Sequence, residues 1–279
     1  MSSQNRRITS EGIVHHTLTR DEFDLLGYLD GRLYLESAMA RFTSWHSSFD
    51  PDHPDWSFRV VAQNALAECL YHALQADVEG WKKRDEILVL FMGASLGSIA
   101  TYFHLRWFKA LGLLPKLRIS IMDLLDEPLQ MTKRGEFDFP QRACRECGFA
   151  DEVGVAEYKD ILSRIETCAG NINGLPLPDR SFDISIAPFV HHHLNIYDKK
   201  IACAEMARVS RPGGIISVGD LWFNRESFNV WLGKHVVEQQ PYAVESFVTA
   251  AEHIGFFRNA DVLSRRSEES FYAFCLRAE

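Results

Sequence analysis

An α/β fold is predicted from three observations. From Glu86 onward, short apolar runs alternate with stretches of helical periodicity. Alternation of that kind builds a parallel sheet with helices on both faces. The C-terminal tail carries two strand-like runs, "NADVLSR" and "SFYAFCLR", joined by a short link, which reads as a closing hairpin. Before residue 85 the pattern is helical and aromatic. The expected architecture is a doubly wound, mostly parallel sheet with an antiparallel C-terminal strand and an N-terminal helical cap.

Taken in order, Asp21 to Thr43 spaces Phe23, Leu26, Leu29, Leu33 and Met39 at roughly helical intervals. "FDPDHPDW" at 49–56 interrupts with two prolines. Ser57 to Asp77 resumes the helical pattern through Val60, Val61, Leu66, Leu70 and Leu74. Residues 1–84 are therefore expected to form a strand-free helical cap or lid, and 85–279 the main domain. In the latter, "EILVLFM" (86–92) reads as a buried strand, 98–111 as a helix and "RISIM" (118–122) as a second strand. Residues 165–169, "SFDISIA" (181–187) and "GIISV" (214–218) supply three more, and 245–254 another helix. The stretches "KRGEFDFPQ" and "AEYKDILSRI" (156–165) are candidates to cover the site or to join two copies, so a homodimer is compatible with the sequence.

The chain has 279 residues, 46% hydrophobic and 24% charged, with formal net charge −8. An acidic balance gives no electrostatic reason to approach polyphosphate, so nucleic acid is excluded as a first expectation and a small metabolite fits better. The N-terminal "MSSQNRRITSEG" has no apolar core segment, and no apolar run is long enough for a bilayer. No membrane association and a cytoplasmic location follow as expectations. Of the six cysteines, Cys144 and Cys147 make a lone CxxC without a second pair. They read as free thiols, and no metal site is expected.

In doubly wound folds, ligands bind beyond the carboxyl ends of the strands. That rule selects residues 92–97, 123–124, 171–172, 187–193 and 220–223. Asp123 ends the second strand, where a carboxylate can accept hydrogen bonds from both hydroxyls of a ribose. Helix capping is its other use.

The segments "ILVLFMGASLGS", "MDLLDEPL", "AGNINGLPLPDRSFDISIAPFVHHHL" and "ARVSRPGGIISVGD" follow one another in order and spacing. In this the chain resembles class I S-adenosylmethionine-dependent methyltransferases, in their small-molecule branch, over about residues 85–279. The resemblance implies a Rossmann-like, seven-stranded sheet and S-adenosylmethionine as cofactor. The family's first loop, acid-x-G-x-G-x-G, falls on Phe91, Gly93, Ser95 and Gly97. Gly93, Ala94, Ser95 and Gly97 would then line the methionine portion. Asp123 matches the ribose acid, and Asn171 stands where an acid contacts the adenine amino group. Leu124 and Ile172 would pack on the adenine faces, and Ala187 to Phe189, with Pro188, would face the sulfonium and substrate. Phe91 departs from the pattern, because a phenyl ring cannot replace the acid that places the cofactor's amine.

Three adjacent histidines, 191–193, cannot all face one way, which argues against a three-histidine metal site. His191 and His192 stay open between proton acceptor and packing, with His192 also a substrate contact, whereas His193 reads as a cap. Arg208 and "RPGG" read as a solvent-facing charge and the turn into the fifth strand. Trp222 and Phe223, and Tyr28, Tyr34 and Trp45 of the cap, are candidate walls for a substrate or for core packing. The activity implied is methyl transfer to a small metabolite, probed against two alternatives. One is cyclisation of the cofactor by its own amine with release of methylthioadenosine, motivated by Phe91. The other is a non-catalytic cofactor-binding scaffold. An NAD-dependent dehydrogenase ranks below these, since G-x-G-x-x-G lacks its third glycine.

Overall fold

The computed structural model describes residues 6–8, 14–16, 56–93, 98–123, 126–134, 153–194, 196–222 and 248–279. Strands β1 (Arg6–Ile8) and β2 (Val14–His16) pair antiparallel, with Ile8 opposite Val14. This corrects the expectation of a strand-free N-terminal segment. Two three-residue strands are too short for a period-two pattern to register, and only β-branched Ile8 and Val14 mark them.

Next come α1 (Trp56–Gln75), α2 (Val78–Lys82), β3 (Ile87–Met92), α3 (Ser98–Ala110), β4 (Leu117–Asp123) and α4 (Asp126–Lys133). Then follow α5 (Val155–Ser163), β5 (Glu166–Ala169), β6 (Phe182–Pro188), α6 (Ile196–Val209), β7 (Ser210–Leu221), α7 (Ala250–Ile254), β8 (Asp261–Ser267) and β9 (Phe271–Arg277). The main sheet has seven strands in the order β5-β4-β3-β6-β7-β9-β8. β3 lies parallel to β4 and β6, β4 to β5, and β6 to β7. β9 runs antiparallel to both β7 and β8. The expected mixed sheet and its C-terminal hairpin are both present. Chain order reverses on either side of β3, the point at which doubly wound sheets bind ligands beyond their carboxyl edge.

Period-two alternation along β3 sorts the two cores. Val89 and Phe91 face one layer with α1, α3 and α5, and Leu90 and Met92 face another with α6. α1 contributes Val60, Leu66, Leu70 and Leu74 to the first layer, beside Ala273 and Cys275 of β9. The Cys69 thiol donates to the Ala273 carbonyl, with sulfur and oxygen 3.8 Å apart. Thus α1, within the expected cap, packs directly on the sheet. α5 also packs inward, with the Tyr158 ring edge-on to Tyr102 at 5.2 Å.

β7 starts earlier than expected, at Ser210 rather than Gly214. The intervening "RPGG" bulges out between the pairs Phe182↔Ser210 and Ile184↔Ile215. Gly213 takes φ +76°, a conformation glycine adopts without steric cost. Arg208 is not the solvent-facing charge expected. Its guanidinium donates to the carbonyls of Leu177 (2.8 Å) and Leu175 (3.0 Å) and to Glu205 and Asp179. Glu205 in turn accepts from the Leu175 amide at 2.8 Å. The pair clamps the loop between β5 and β6, whose carbonyls have no strand partner to satisfy them. Among the described residues, no helix is long and apolar enough to cross a membrane.

Candidate functional site

Carboxyl ends of β3, β4, β5, β6 and β7 meet along one edge. Gly93 leaves β3 with φ +61°, and its amide donates to the Met122 carbonyl at 2.8 Å. A Cβ built at Gly93 would lie 2.3 Å from Val190 Cγ2, so only a bare backbone fits. One register step away, Asp123 ends β4, 9% exposed, and its carbonyl accepts from the Gly170 amide at 2.9 Å. Beyond β5, Asn171 Oδ1 accepts from the Asn173 amide at 2.9 Å, an Asx turn. A carbonyl oxygen has a second lone pair, so Asn171 can still accept another donor. Ile172 is buried in the adjoining core with Leu175 and Met122. Ala94, Ser95, Gly97 and Leu124 lie outside the described residues, as do Tyr28, Tyr34, Trp45, Phe223 and the CxxC.

Phe91 occupies a different place from the other loop positions. It is 0% exposed and packs edge-on to His104, ring centroids 5.2 Å apart. It therefore stands in the α3-side core, where a buried carboxylate would be costly without a partner.

After β6, Pro188 is buried and Phe189 takes φ +58°, rare for an aromatic residue. The Phe189 amide donates to the Gly219 carbonyl at 2.9 Å, and its ring lies against Gly219 and Phe271. This turn delivers Val190 to Gly93 and starts the 3-10 turn 191–193.

That turn leads into a buried polar cluster centred on Asp220, at the carboxyl end of β7. His192 Nδ1 lies 2.8 Å from Asp220 Oδ1, which also accepts the His192 amide (3.0 Å) and the Leu221 amide (3.0 Å). Lys199, fully buried on α6, donates to Asp220 Oδ2 at 3.2 Å. Burial alone would raise the Asp220 carboxyl, but the attraction of Lys199 and the bond from His192 outweigh it and hold it well below the usual carboxylate range. Beside this pair, His191 Nδ1 lies 2.8 Å from His253 Nε2, and His253 Nδ1 lies 2.7 Å from the Tyr272 hydroxyl. Burial lowers the His191 imidazole to about 3 and His253 well below its ordinary value. Both are thus neutral at physiological pH.

The expected site residues therefore divide. Gly93, Asp123, Asn171, Ile172, Pro188, Phe189 and His192 gather at the carboxyl edge. His191 is buried away in the cluster. Trp222 is half-buried, with its indole N–H donating to the Glu268 carbonyl at 2.7 Å, which ties it to the β8–β9 link. Sequence reasoning missed Lys199, Cys203, His253 and Tyr272 altogether. Helical spacing carried a signal for two of them, because Lys199 and Cys203 fall on the stripe with Ala202, Met206 and Val209 that α6 buries.

Residues 140–218 match the family described as "Methyltransferase domain". A "probable S-adenosylmethionine-dependent methyltransferase" of Mycolicibacterium smegmatis is 38% identical over 68 residues, 24% of this chain and 26% of that protein. The chain thus spans about a quarter of that relative's length. Among solved structures, a Burkholderia thailandensis 1,6-didemethyltoxoflavin-N1-methyltransferase, bound to 1,6-didemethyltoxoflavin and S-adenosylhomocysteine, is 14% identical with TM-score 0.49, covering 98% of this chain and 99% of that one. The N-methyltransferase NodS of Bradyrhizobium japonicum WM9, in complex with S-adenosylhomocysteine, is 15% identical with TM-score 0.46, covering 82% and 90%. Identities this low and TM-scores below 0.5 distinguish no substrate. The matched segment carries the strands β5 and β6 and most of β7, and the strand order is the one expected from the resemblance to class I S-adenosylmethionine-dependent methyltransferases. The edge offers that family's cofactor a carboxylate at the end of β4, Asp123, and an amide oxygen just beyond β5, Asn171, two acceptors suited to ribose hydroxyls and an adenine amino group.

Proposed function

We propose that the protein transfers a methyl group from S-adenosylmethionine to a hydroxyl group of a small metabolite, in specialised metabolism. The observation that carries this reading is the His192–Asp220 pair at 2.8 Å on the carboxyl edge, two residues beyond the Val190 that packs against Gly93.

S-adenosylmethionine supplies an electrophilic methyl group on a sulfonium. Asp123 would hold the ribose hydroxyls, Asn171 and Ile172 the adenine, and the Gly93 turn the methionine portion. Asp220 is ionised and accepts the Nδ1–H of His192, which fixes the tautomer and leaves the lone pair on Nε2. Nε2 is then the proton acceptor for a hydroxyl nucleophile, and Asp220 stabilises the imidazolium that forms. An amine acceptor that is already neutral needs no such base, which is why the pair favours a hydroxyl. Holding nucleophile and methyl group in line and excluding water supply the larger share of the rate. Within the cap proposed for residues 1–84, α1 contributes to the sheet's core. Phe91 is buried against His104, which supports methyl transfer over the cyclising alternative that Phe91 motivated.

The test is incubation with S-adenosylmethionine and a panel of small alcohols, phenols and amines, read by mass spectrometry. The expected result is S-adenosylhomocysteine with an O-methylated product. His192→Gln should lower kcat for that acceptor by about 10²–10⁴-fold while leaving cofactor affinity within a factor of about two. Methylthioadenosine formed without an acceptor, or an unimpaired His192→Gln, would refute the reading.

A further inference from the structure

Three buried side chains outside the cofactor edge offer metal-ligating atoms to one point. His191 comes from the 191–193 turn, Cys203 from α6 and His253 from α7. All three are 0% exposed, and their ligand atoms lie within 4.8 Å of one another. We propose that His191, Cys203 and His253 form a binding site for a zinc-class divalent cation, with its fourth position open to a water or a small ligand.

Four observations support this. First, the donor set of two imidazoles and one thiolate suits zinc, which prefers nitrogen and sulfur ligands in tetrahedral array. Second, His191 Nδ1 and His253 Nε2, the two nitrogens that would ligate, already face each other at 2.8 Å between fully buried rings. Third, His253 is already oriented as a metal ligand would be. Its Nδ1 faces the Tyr272 hydroxyl at 2.7 Å and Asp220 Oδ2 at 3.7 Å, leaving Nε2 directed at His191. Outer hydrogen bonds of this kind fix the tautomer of ligating histidines. Fourth, Cys203 also borders a cavity of about 310 Å³ with Ala207, Phe256, Phe257, Arg258 and Leu276, so space adjoins its side of the cluster.

The spacing is close to what a cation needs. With Zn–N of about 2.0–2.1 Å and Zn–S of about 2.3 Å, tetrahedral ligand atoms stand roughly 3.3–3.6 Å apart. His191 Nδ1 and His253 Nε2, now 2.8 Å apart, would separate by about half an ångström as the metal replaces the hydrogen bond between them. The Cys203 thiol proton leaves to solvent as the sulfur–metal bond forms. The thiolate's negative charge offsets part of the cation's, and Lys199 and Asp220 already neutralise each other.

The site is independent of the methyl-transfer reading, and each can fail without the other. The experiment uses the full chain, freed of metal with chelator, and titrated with cobalt(II). A sulfur-to-cobalt charge-transfer band that saturates at one equivalent and is bleached by one equivalent of zinc(II) is expected. Cys203→Ser should abolish it, and Cys144→Ser with Cys147→Ser should leave it intact. Absence of the band, its survival in Cys203→Ser, or its loss in the Cys144/Cys147 variant would overturn the proposal. Should Cys203→Ser not fold, X-ray absorption of the zinc-loaded wild-type protein decides. One sulfur with imidazole nitrogens supports the site, whereas an all-sulfur or an all-oxygen and nitrogen shell without sulfur refutes it.

Discussion

Protonation is the perturbation to which the buried histidine pair is most sensitive. His191 and His253 are both 0% exposed and 2.8 Å apart, and burial holds His191 at about 3 and His253 well below its ordinary value. In the unfolded chain each returns to about 6.5. Below that pH the unfolded state therefore binds protons that the folded state does not, and stability falls with falling pH. The stabilisation is complete above about 6.5 and is lost progressively toward 3. Between pH 7.5 and 5.5 each histidine contributes on the order of 1 kcal/mol to the loss, so the pair removes a few kcal/mol. That is a large part of a typical total of about 5–15 kcal/mol. Asp220, whose carboxyl is held low, adds to the loss only below about 3.8, outside this window. Urea unfolding of the metal-free protein at pH 7.5, 6.5 and 5.5, with chelator present, measures it. The chain has 11 histidines, so the variant His253→Gln carries the decision. It should lose about half as much stability over the same interval as the wild type. An unchanged midpoint in the wild type, or an equal loss in His253→Gln, would refute the reasoning.

Three further outcomes are expected. Gly93→Ala meets both a left-handed φ of +61° and Val190 Cγ2 at 2.3 Å. It should cost more than the about 1–2 kcal/mol of backbone strain alone, and Val190→Ala in the same chain should recover part of the excess in urea unfolding. Asp220→Asn leaves the Lys199 ammonium buried without its anion, at a cost of about 3–5 kcal/mol. The double variant with Lys199→Met should be less destabilised than the sum of the single ones, and additive costs would contradict the ion pair. His192→Gln separates turnover from binding as described above, with kcat falling and cofactor affinity preserved.

The sheet was legible because burial on both faces writes strands as continuous apolar runs, such as "EILVLFM", and helices as spaced ones. Asp123, Asn171 and Gly93 were legible because the carboxyl-end rule names positions from strand ends alone. The polar cluster was not. Lys199 and Lys200 are neighbours of the same type, and only the stripe of Ala202, Cys203 and Met206 tells which one turns inward. His253 lies in a five-residue helix, too short for periodicity, and its partner His191 comes from 62 residues earlier. Arg208 read as a solvent charge because its acceptors are backbone carbonyls of a loop, which have no signature in side-chain pattern. Phe91 read as an altered cofactor contact, although the period-two alternation of β3 sends it to the layer of Val89, away from Met92.

The measurement closest to the central claim is calorimetric titration of the purified protein with S-adenosylmethionine and S-adenosylhomocysteine, alongside Asp123→Ala. Saturable binding of one cofactor per chain is expected, with at least a tenfold loss of affinity (about 1.4 kcal/mol) in the variant. No binding at millimolar cofactor, or equal affinity in Asp123→Ala, would contradict the assignment of this edge to the cofactor.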